Sequence, residues 1–274
     1  TCFSPQCGQC VNCRSGRTNI CVAIREQQNA GYLPDGTTRL SRGGDELRHF
    51  MGCSTFAEAT VVSEYSLAKV SKEAPLATAA LFACGLTTGL GAAMYRAPVF
   101  EGATVVVFGA GMVGLGAVAG ARLQKAERII CVDLSEDRLQ LARHHGAEVT
   151  VNASHADPGA AIQEKTGGTH GVLVTAVHPR AFDQALSVVR RGATIVFNGL
   201  PPGTFDADIF DIVLRAITIR GSIVGTRQDM IEALDFYARG QIHPTVHVES
   251  LDDINDIFER MEHGKIDGRI VMKY

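Results

Sequence analysis

Four cysteines within fifteen residues are the feature of this 274-residue sequence that most clearly indicates a chemical role. Cys7, Cys10, Cys13 and Cys21 follow the spacing C-x2-C-x2-C-x7-C. Cysteines this close could form disulfides, hold an iron–sulfur cluster or bind one zinc ion. An iron–sulfur site of this type would have its fourth cysteine closer and followed by proline, or else far away, whereas here the gap is seven residues and valine follows. The spacing therefore favours a closed zinc site, with iron–sulfur as the weaker alternative.

The composition limits the surroundings and the partners of this cluster. Only eight cysteines occur in the whole chain, which argues against a secreted disulfide framework and favours a reducing, cytoplasmic location. A net charge of −3 and the lack of a Lys/Arg block give no support for nucleic acid or anionic membrane as partners. Two uncharged runs, 74–95 and 102–121, are long enough to span a bilayer, but their many glycines favour a buried core instead. We therefore expect small-molecule partners.

From Thr104 onward, short β-branched runs alternate with helical stretches such as Asp137–His145 and Arg180–Arg190. This alternation predicts an α/β fold with a doubly wound parallel sheet and helices on both faces. The six predicted strands are Thr104–Phe108, Arg128–Asp133, Glu148–Val151, Gly171–Val177, Thr194–Gly199 and Ile219–Gly225.

The rest of the chain has a different pattern on each side of this sheet. Residues 1–70 are rich in turn signals, with one strand-like run at 56–62. After residue 225 we predict helices near 229–239 and 251–263 and strands near 245–249 and 269–274. The predicted organisation is a β-rich domain at 1–87 with a metal lobe at 5–25, a nucleotide-binding domain at 88–226, and a segment at 227–274 that returns to the first domain.

The first predicted strand is followed by GAGMVG, which places Gly109, Gly111 and Gly114 in a G-x-G-x-x-G motif. The three glycines allow a tight turn, close approach of a pyrophosphate, and close packing of helix on strand. Asp133 ends the next strand, at the distance where an acidic side chain binds an adenosine ribose. Its charge would repel a 2′-phosphate, which favours NAD over NADP. Arg138 would weaken this preference if its cation lies near the ribose; the alternative is a solvated helix residue.

With these motifs, the sequence resembles the zinc-containing medium-chain alcohol dehydrogenases over essentially all 274 positions. The stretch FACGLTTG matches the family segment that carries the last ligand of the catalytic zinc, at Cys84. The resemblance implies a GroES-like catalytic domain with the four cysteines around a structural zinc, packed against a Rossmann domain. In such enzymes zinc acts as a Lewis acid on an alcohol or aldehyde oxygen while hydride passes to or from NAD.

The resemblance also assigns roles to individual residues. Judged by residue chemistry alone, Cys84 is as readily an inert buried thiol as a metal ligand. For Arg269 the alternative is a surface arginine at the start of an edge strand. The implied roles are a zinc ligand at Cys84, nicotinamide contacts at Thr88 and Val113, a pyrophosphate contact at Arg269, and a substrate pocket lined by Phe50 and Met51.

Two branches of the family are represented. Residues 7–65 are most similar to the glutathione-dependent formaldehyde dehydrogenases, which implies that Arg25 pairs with a substrate carboxylate; a rim salt bridge is the alternative. After a change near residues 165–175, the sequence resembles microbial, tetramer-forming enzymes that act on short primary alcohols. The resemblance implies a homodimer or homotetramer.

One departure from the family concerns the catalytic zinc. The family's first catalytic cysteine and its Gly-His-Glu segment lie upstream of the four-cysteine lobe, and neither is found in this sequence, which also lacks an initiator methionine. We therefore expect a chain without the N-terminal part of the catalytic domain, which binds structural zinc and NAD but turns over weakly or not at all. The alternatives are a non-catalytic zinc- and nucleotide-binding protein and a zinc-free quinone reductase, the latter opposed by the cysteine lobe and Cys84.

Overall fold

The computed structural model of the chain describes residues 1–72, 74–97 and 99–273. The strands are β1 Leu40–Arg42, β2 Asp45–Leu47, β3 Thr104–Phe108, β4 Arg128–Asp133, β5 Val149–Asn152, β6 Thr169–Val174, β7 Val189–Phe197, β8 Thr218–Gly221, β9 Val246–Ser250 and β10 Arg269–Lys273. The α-helices are α1 Val11–Arg14, α2 Val22–Ala30, α3 Leu76–Ala79, α4 Gly85–Gly91, α5 Met112–Leu123, α6 Glu136–His145, α7 Pro158–Thr166, α8 Pro179–Ser187, α9 Ile209–Leu214, α10 Arg227–Ala238 and α11 Ile254–Glu262.

Strands β3 to β8 form one parallel sheet in the order β5-β4-β3-β6-β7-β8, which confirms the predicted doubly wound fold. All five residues of β3 are buried, because helices cover both faces of the sheet. The chain crosses from one half of the sheet to the other between β5 and β6. Ligands of such sheets bind beyond the carboxyl ends of the strands at this switch point, between β3 and β6.

The predicted strands match the observed ones most closely in the middle of the sheet. The first two predicted strands are reproduced residue for residue as β3 and β4. The fourth and sixth were predicted to continue past Val174 and Gly221, where the chain instead leaves the sheet. Beyond β6, the Thr175 hydroxyl donates to the carbonyls of Phe108 and Gly109, so the strand pairing gives way to turn contacts.

The predicted strand at 56–62 is not present. These residues form bends, are mostly exposed and pair with no strand among the described residues. The hairpin of β1 and β2 is the strand pairing found within 1–72. Strand-like composition alone does not make residues 56–62 a strand, because a strand also needs a hydrogen-bonded neighbour.

The C-terminal segment contains the predicted helices and strands, and β9 and β10 pair in parallel. The last residue of the predicted final strand, Tyr274, lies outside the described residues. Helix α10 packs its Met230 and Leu234 against Phe82 and Leu86, in the same apolar cluster as Cys2. The segment therefore does contact the part of the chain around α4.

Helix α4 packs directly onto α5 through glycines on both helices. A Cβ at Gly89 would lie 2.0 Å from the Val113 carbonyl oxygen, and one at Gly116 would lie 3.0 Å from the Leu86 oxygen. The two helix backbones are thus in near contact, which is possible only without side chains at these points.

In the described part of the chain no single helix is long and apolar enough to span a membrane, although the bent pair Leu76–Ala83 and Gly85–Arg96 meets that test by length and composition.

We expect Gly89→Ala to lower the free energy of unfolding by about 3 kcal/mol, because the added methyl overlaps backbone atoms of α5 that cannot move aside. Thermal denaturation followed by circular dichroism measures this loss. Gly221→Ala is the matched control, since a Cβ there meets no atom within 4 Å. Equal midpoints for the two variants would contradict the proposed close packing.

Candidate metal centre and nucleotide cleft

The four predicted metal-binding cysteines converge in the structure. Their sulfur atoms all lie within 4.8 Å of one another, with 4.0 Å between Cys7 and Cys13 and 3.9 Å between Cys10 and Cys21. Four sulfurs placed about 2.3 Å from one zinc ion would be about 3.8 Å apart. The short helix α1 and the turn Thr18–Ile20 wrap the chain around this point. The arrangement fits tetrahedral zinc, and all four cysteines are free thiols.

Backbone amides prepare part of this cluster for negative charge. The Cys13 amide, with that of Val22, lowers the pKa of Cys10 to about 6, and the amides of Gln9 and Cys10 lower the pKa of Cys7. Burial raises the pKa of Cys13 to about 12, because a thiolate there is poorly solvated. Four adjacent thiolates require a cation to offset their mutual repulsion, so the donor set suits a divalent metal.

The glycine turn after β3 has the geometry of a phosphate site. Gly109 adopts φ +99°, and a Cβ at Gly114 would lie 1.8 Å from the Gly109 oxygen, so the first and third glycines are sterically required. A Cβ at Gly111 would meet nothing within 4 Å. The second glycine therefore faces open space at the N-terminus of α5, where unpaired amides favour an anion.

Asp133 is fixed at the end of β4, beside this turn. One carboxylate oxygen accepts a hydrogen bond from the Ala110 amide at 2.7 Å, and the other accepts from the amides of Leu134 and Ser135. The side chain is half-buried, so its oxygens keep lone pairs available to a hydroxyl-bearing ligand. The ribose contact of Asp133 stays a prediction.

Arg138 and Arg269 supply positive charge from two different elements. Arg138, on α6, donates to the Gly264 carbonyl, and Arg269 begins β10. Burial lowers the pKa of Arg269, and the charge of Arg138 acts in the same direction, which indicates that the two guanidinium groups are close. Neither group forms an ion pair with a carboxylate among the described residues. Two cations without a counter-ion suit a diphosphate.

Cys84 lies immediately before α4, with Thr88 one turn later. The Thr88 hydroxyl donates to the Cys84 carbonyl at 2.8 Å, and the next residue, Gly89, contacts Val113. Cys84 is an exposed residue, yet neighbouring atoms desolvate its sulfur enough to raise the pKa of the thiol, an effect that Thr88 and Arg269 oppose. The structure therefore brings Cys84, Thr88, Val113 and Arg269 together.

The three predicted substrate contacts have different environments. The Arg25 guanidinium lies 5.4 Å from the centroid of the Phe3 ring, and the Phe3 amide donates to the Ala83 carbonyl next to Cys84. Met51 lines a small cleft against α2 and its carbonyl accepts from Gln28, whereas Phe50 is 78% exposed. The structure thus links Arg25 to the Cys84 segment, while pocket roles for Phe50 and Met51 stay predictions.

The described residues do not assemble a second metal site around Cys84. The four-cysteine cluster is the one group of three or more potential ligands found among residues 1–72, 74–97 and 99–273. Since a catalytic zinc needs three protein ligands, the residues around Cys84 do not fit that metal as they stand.

Sequence reasoning missed the residues that follow β7 and β8. They line a cavity of about 440 Å³ formed by Phe182, Phe197, Asn198, Gly199, Ser222 and Ile223, among others. Gly199 lies against the Ala176 carbonyl and Gly109 against the Ala176 amide, so the cavity continues the edge that holds the glycine turn. The rule that ligands bind beyond the carboxyl ends of parallel strands could have located it.

A Rossmann sheet with a glycine turn, an aspartate at the end of its second strand and a tetrathiolate metal site is typical of a zinc-containing, dinucleotide-dependent oxidoreductase. The family profile described as zinc-binding dehydrogenase matches residues 112–239. An alcohol dehydrogenase of Moraxella sp. (strain TAE123) is 42% identical over 269 residues, which are 98% of this chain and 72% of that protein. An S-(hydroxymethyl)glutathione dehydrogenase of Escherichia coli O1:K1 / APEC is 38% identical over 99% of this chain and 76% of its own length.

Solved structures agree with these relatives. The alcohol dehydrogenase zinc-binding domain protein from Burkholderia ambifaria superposes with a TM-score of 0.91 at 29% identity, covering 98% of this chain and 76% of that one. Acetophenone reductase from Geotrichum candidum NBRC 4597, solved in complex with NAD, gives a TM-score of 0.77 at 25% identity, covering 99% and 72% of the two chains. The chain belongs to the zinc-dependent alcohol dehydrogenase family, whose cofactors are zinc and NAD.

We expect Cys10→Ser to reduce the zinc content from about one ion per chain to near zero, because the tetrahedral site loses one of its four thiolates. Metal analysis after gel filtration measures the stoichiometry. Cys53→Ser is the control, since Cys53 lies outside the cluster. Zinc retained at full stoichiometry by the Cys10 variant would show that the four sulfurs do not hold the metal together.

Proposed function

We propose that the cleft along the carboxyl edge of the sheet binds NAD and supports hydride transfer between this cofactor and a small alcohol or aldehyde. The observation that carries the proposal is the contact of α4 with α5. It joins Cys84 and Thr88, on one side, to the glycine turn and Val113, on the other, through backbones in direct contact. A substrate held near Cys84 would therefore lie at a fixed distance from a cofactor anchored on the turn.

Different residues along this edge contact different parts of the cofactor. Asp133 accepts hydroxyl hydrogen bonds from the adenosine ribose, and its charge disfavours the 2′-phosphate of NADP. The pyrophosphate lies on the turn at Gly111, with Arg138 and Arg269 offsetting its charge. The cavity beyond β7 and β8 takes the nicotinamide ring, because it is apolar on the Phe182 and Phe197 side and carries Asn198, whose Oδ1 is buried without a partner.

Turnover by this 274-residue chain is expected to be low. A zinc ion bound at a reacting oxygen supplies Lewis-acid polarisation in enzymes of this kind. Among the described residues, Cys84 is the one predicted ligand of that zinc, and a single thiolate does not hold a metal in an open, three-ligand site. Binding of NAD does not depend on that metal and is the property that the geometry supports best.

A second candidate substrate class is a thiol adduct that bears carboxylates, such as S-(hydroxymethyl)glutathione. The specific observation is Arg25, which lies over Phe3 beside the Cys84 segment and has no ion pair among the described residues. A guanidinium group binds a carboxylate through two parallel hydrogen bonds. Arg25 would thus hold the distal carboxylate of such a substrate, while a short primary alcohol makes no use of it.

We expect Asp133→Asn to weaken NADH binding by about tenfold and to narrow the preference for NADH over NADPH, because the neutral amide neither accepts two ribose hydrogen bonds nor repels a 2′-phosphate. The change in NADH and NADPH emission on binding gives both dissociation constants. Asp137→Asn, an exposed change in the first turn of α6, four residues after Asp133, is the control. The proposal fails if the wild-type chain binds neither cofactor, or if the two variants behave alike.

We also propose that the chain forms a homo-oligomer through α9 and the loop before it. Helix α9 buries none of its six residues, and Ile209, Phe210, Val213 and Leu214 are all exposed apolar side chains. Leu200, in the preceding loop, is exposed as well. So contiguous an apolar surface is typical of protein interfaces, and a second copy of this chain is the occupant we infer.

Replacement of Phe210, which is 72% exposed, by aspartate is expected to shift the protein from a dimer or tetramer to the monomer, because the charge would be buried without a partner at the interface. Sedimentation velocity at micromolar concentration reports the mass. Phe258→Asp changes an exposed phenylalanine on α11, outside the proposed interface, and serves as the control. A wild-type chain that sediments as a monomer would refute the proposed interface.

A further inference from the structure

One side chain of the metal loop, defined as residues 7–21, reaches the nucleotide-binding sheet. Asn19, in the turn before Cys21, is 7% exposed, and its Nδ2 donates to the Ile223 carbonyl at 2.8 Å. The bond joins positions 204 residues apart in the sequence. An amide buried this deeply is placed by its hydrogen bond, since an unpaired donor in such a position would be destabilising.

The acceptor lies in a segment that several neighbours constrain. The side-chain Nδ2 of Asn198 donates to the Ser222 carbonyl, and the backbone amide of Ser222 donates to the Phe197 carbonyl. Val224 has φ +47°, a conformation that is unfavourable for a β-branched residue and persists only when its surroundings impose it. With Asn198 holding Ser222 and Asn19 holding Ile223, the two residues before Val224 are anchored by side chains from different parts of the chain.

The same segment forms part of the proposed cofactor cleft. Ser222 and Ile223 line the cavity of about 440 Å³ beyond β7 and β8. On its other side, a Cβ at Gly225 would lie 2.6 Å from the Thr87 side chain of α4, the helix that begins after Cys84. A shift of residues 222–226 would therefore change the cavity wall and its contact with α4 together.

The metal loop has little regular structure of its own to hold Asn19 in place without a metal. Its regular structure consists of the four residues of α1 and a three-residue turn, which are too short to be stable by themselves. Metal binding supplies the folding free energy of small cysteine loops of this kind. The position of Asn19, and with it the bond to Ile223, thus depends on an ion held by the four sulfurs.

We propose that Asn19 is a positioning residue that couples the metal-bound fold of this loop to residues 222–226, and so shapes the nicotinamide end of the cofactor cleft. The metal loop then has a task beyond local stability, because it imposes the conformation at Val224 from outside the sheet. The cleft part of this inference rests on the proposed NAD function. The coupling between loop and segment does not.

The first test is hydrogen–deuterium exchange of peptides that cover residues 219–226, for the zinc-loaded wild-type chain and for Asn19→Ala. We expect exchange in this segment to be about tenfold faster in the variant, with zinc content unchanged. Removal of zinc from the wild-type chain by a chelator should produce the same increase. Asn12→Ala is the matched control, because the side-chain Nδ2 of Asn12 donates at 2.8 Å to the Ile20 carbonyl inside the loop. Unchanged exchange at 219–226 in zinc-loaded Asn19→Ala would overturn the proposal.

The second test separates positioning from general destabilisation. Asn19→Ala should weaken NADH binding by about tenfold and leave ADP-ribose, which lacks the nicotinamide, within about twofold of wild type. Equal losses for both ligands would overturn the cleft part of the proposal. If the wild-type chain binds neither ligand, the proposed NAD function fails, and the exchange experiment still decides the coupling. Asn19→Asp, which keeps the size of the side chain and lacks the Nδ2 donor, replaces the alanine variant if that variant does not fold.

Discussion

The near contact between the backbones of α4 and α5 is the constraint on which the rest of this structure depends. At Gly89 the carbonyl of Val113 occupies the place where a side chain would be, and Gly116 and Gly120 make the reciprocal approach. The contact holds the Cys84 end of one helix against the glycine turn at the start of the other. Because both backbones are already in contact, neither helix can move along or toward the other without overlap.

Charge along the sheet edge is arranged around this rigid pair. The Asp133 carboxylate is fixed by three backbone amides from the turns it adjoins, so its position follows from the ends of β3 and β4. Arg138 and Arg269 come from α6 and β10 and carry no ion pair among the described residues. Asp133 lies beside the N-terminus of α5, and we propose that a bound dinucleotide uses this carboxylate together with the two cations from α6 and β10.

The metal loop and the sheet are linked by a contact that neither local sequence suggests. From the sequence, Asn19 is an ordinary turn residue and Ile223 belongs to a predicted strand. Their hydrogen bond places the tetrathiolate cluster next to the cavity wall, beside a strained valine. The alcohol dehydrogenase zinc-binding domain protein that superposes on this chain covers 98% of it, so the metal loop and the sheet both fall within the shared fold.

The sequence by itself determined the parallel sheet, the glycine turn, Asp133 and the metal cluster. Each of these is encoded in a short stretch, where β-branched runs, glycine spacing or cysteine spacing have a direct physical meaning. Only the tertiary structure decided that the run at 56–62 forms no strand, that Arg138 approaches Arg269, and that residues 222–226 line a cavity held by Asn19. These features depend on partners distant in the chain, and composition and spacing carry no information about which distant groups will meet.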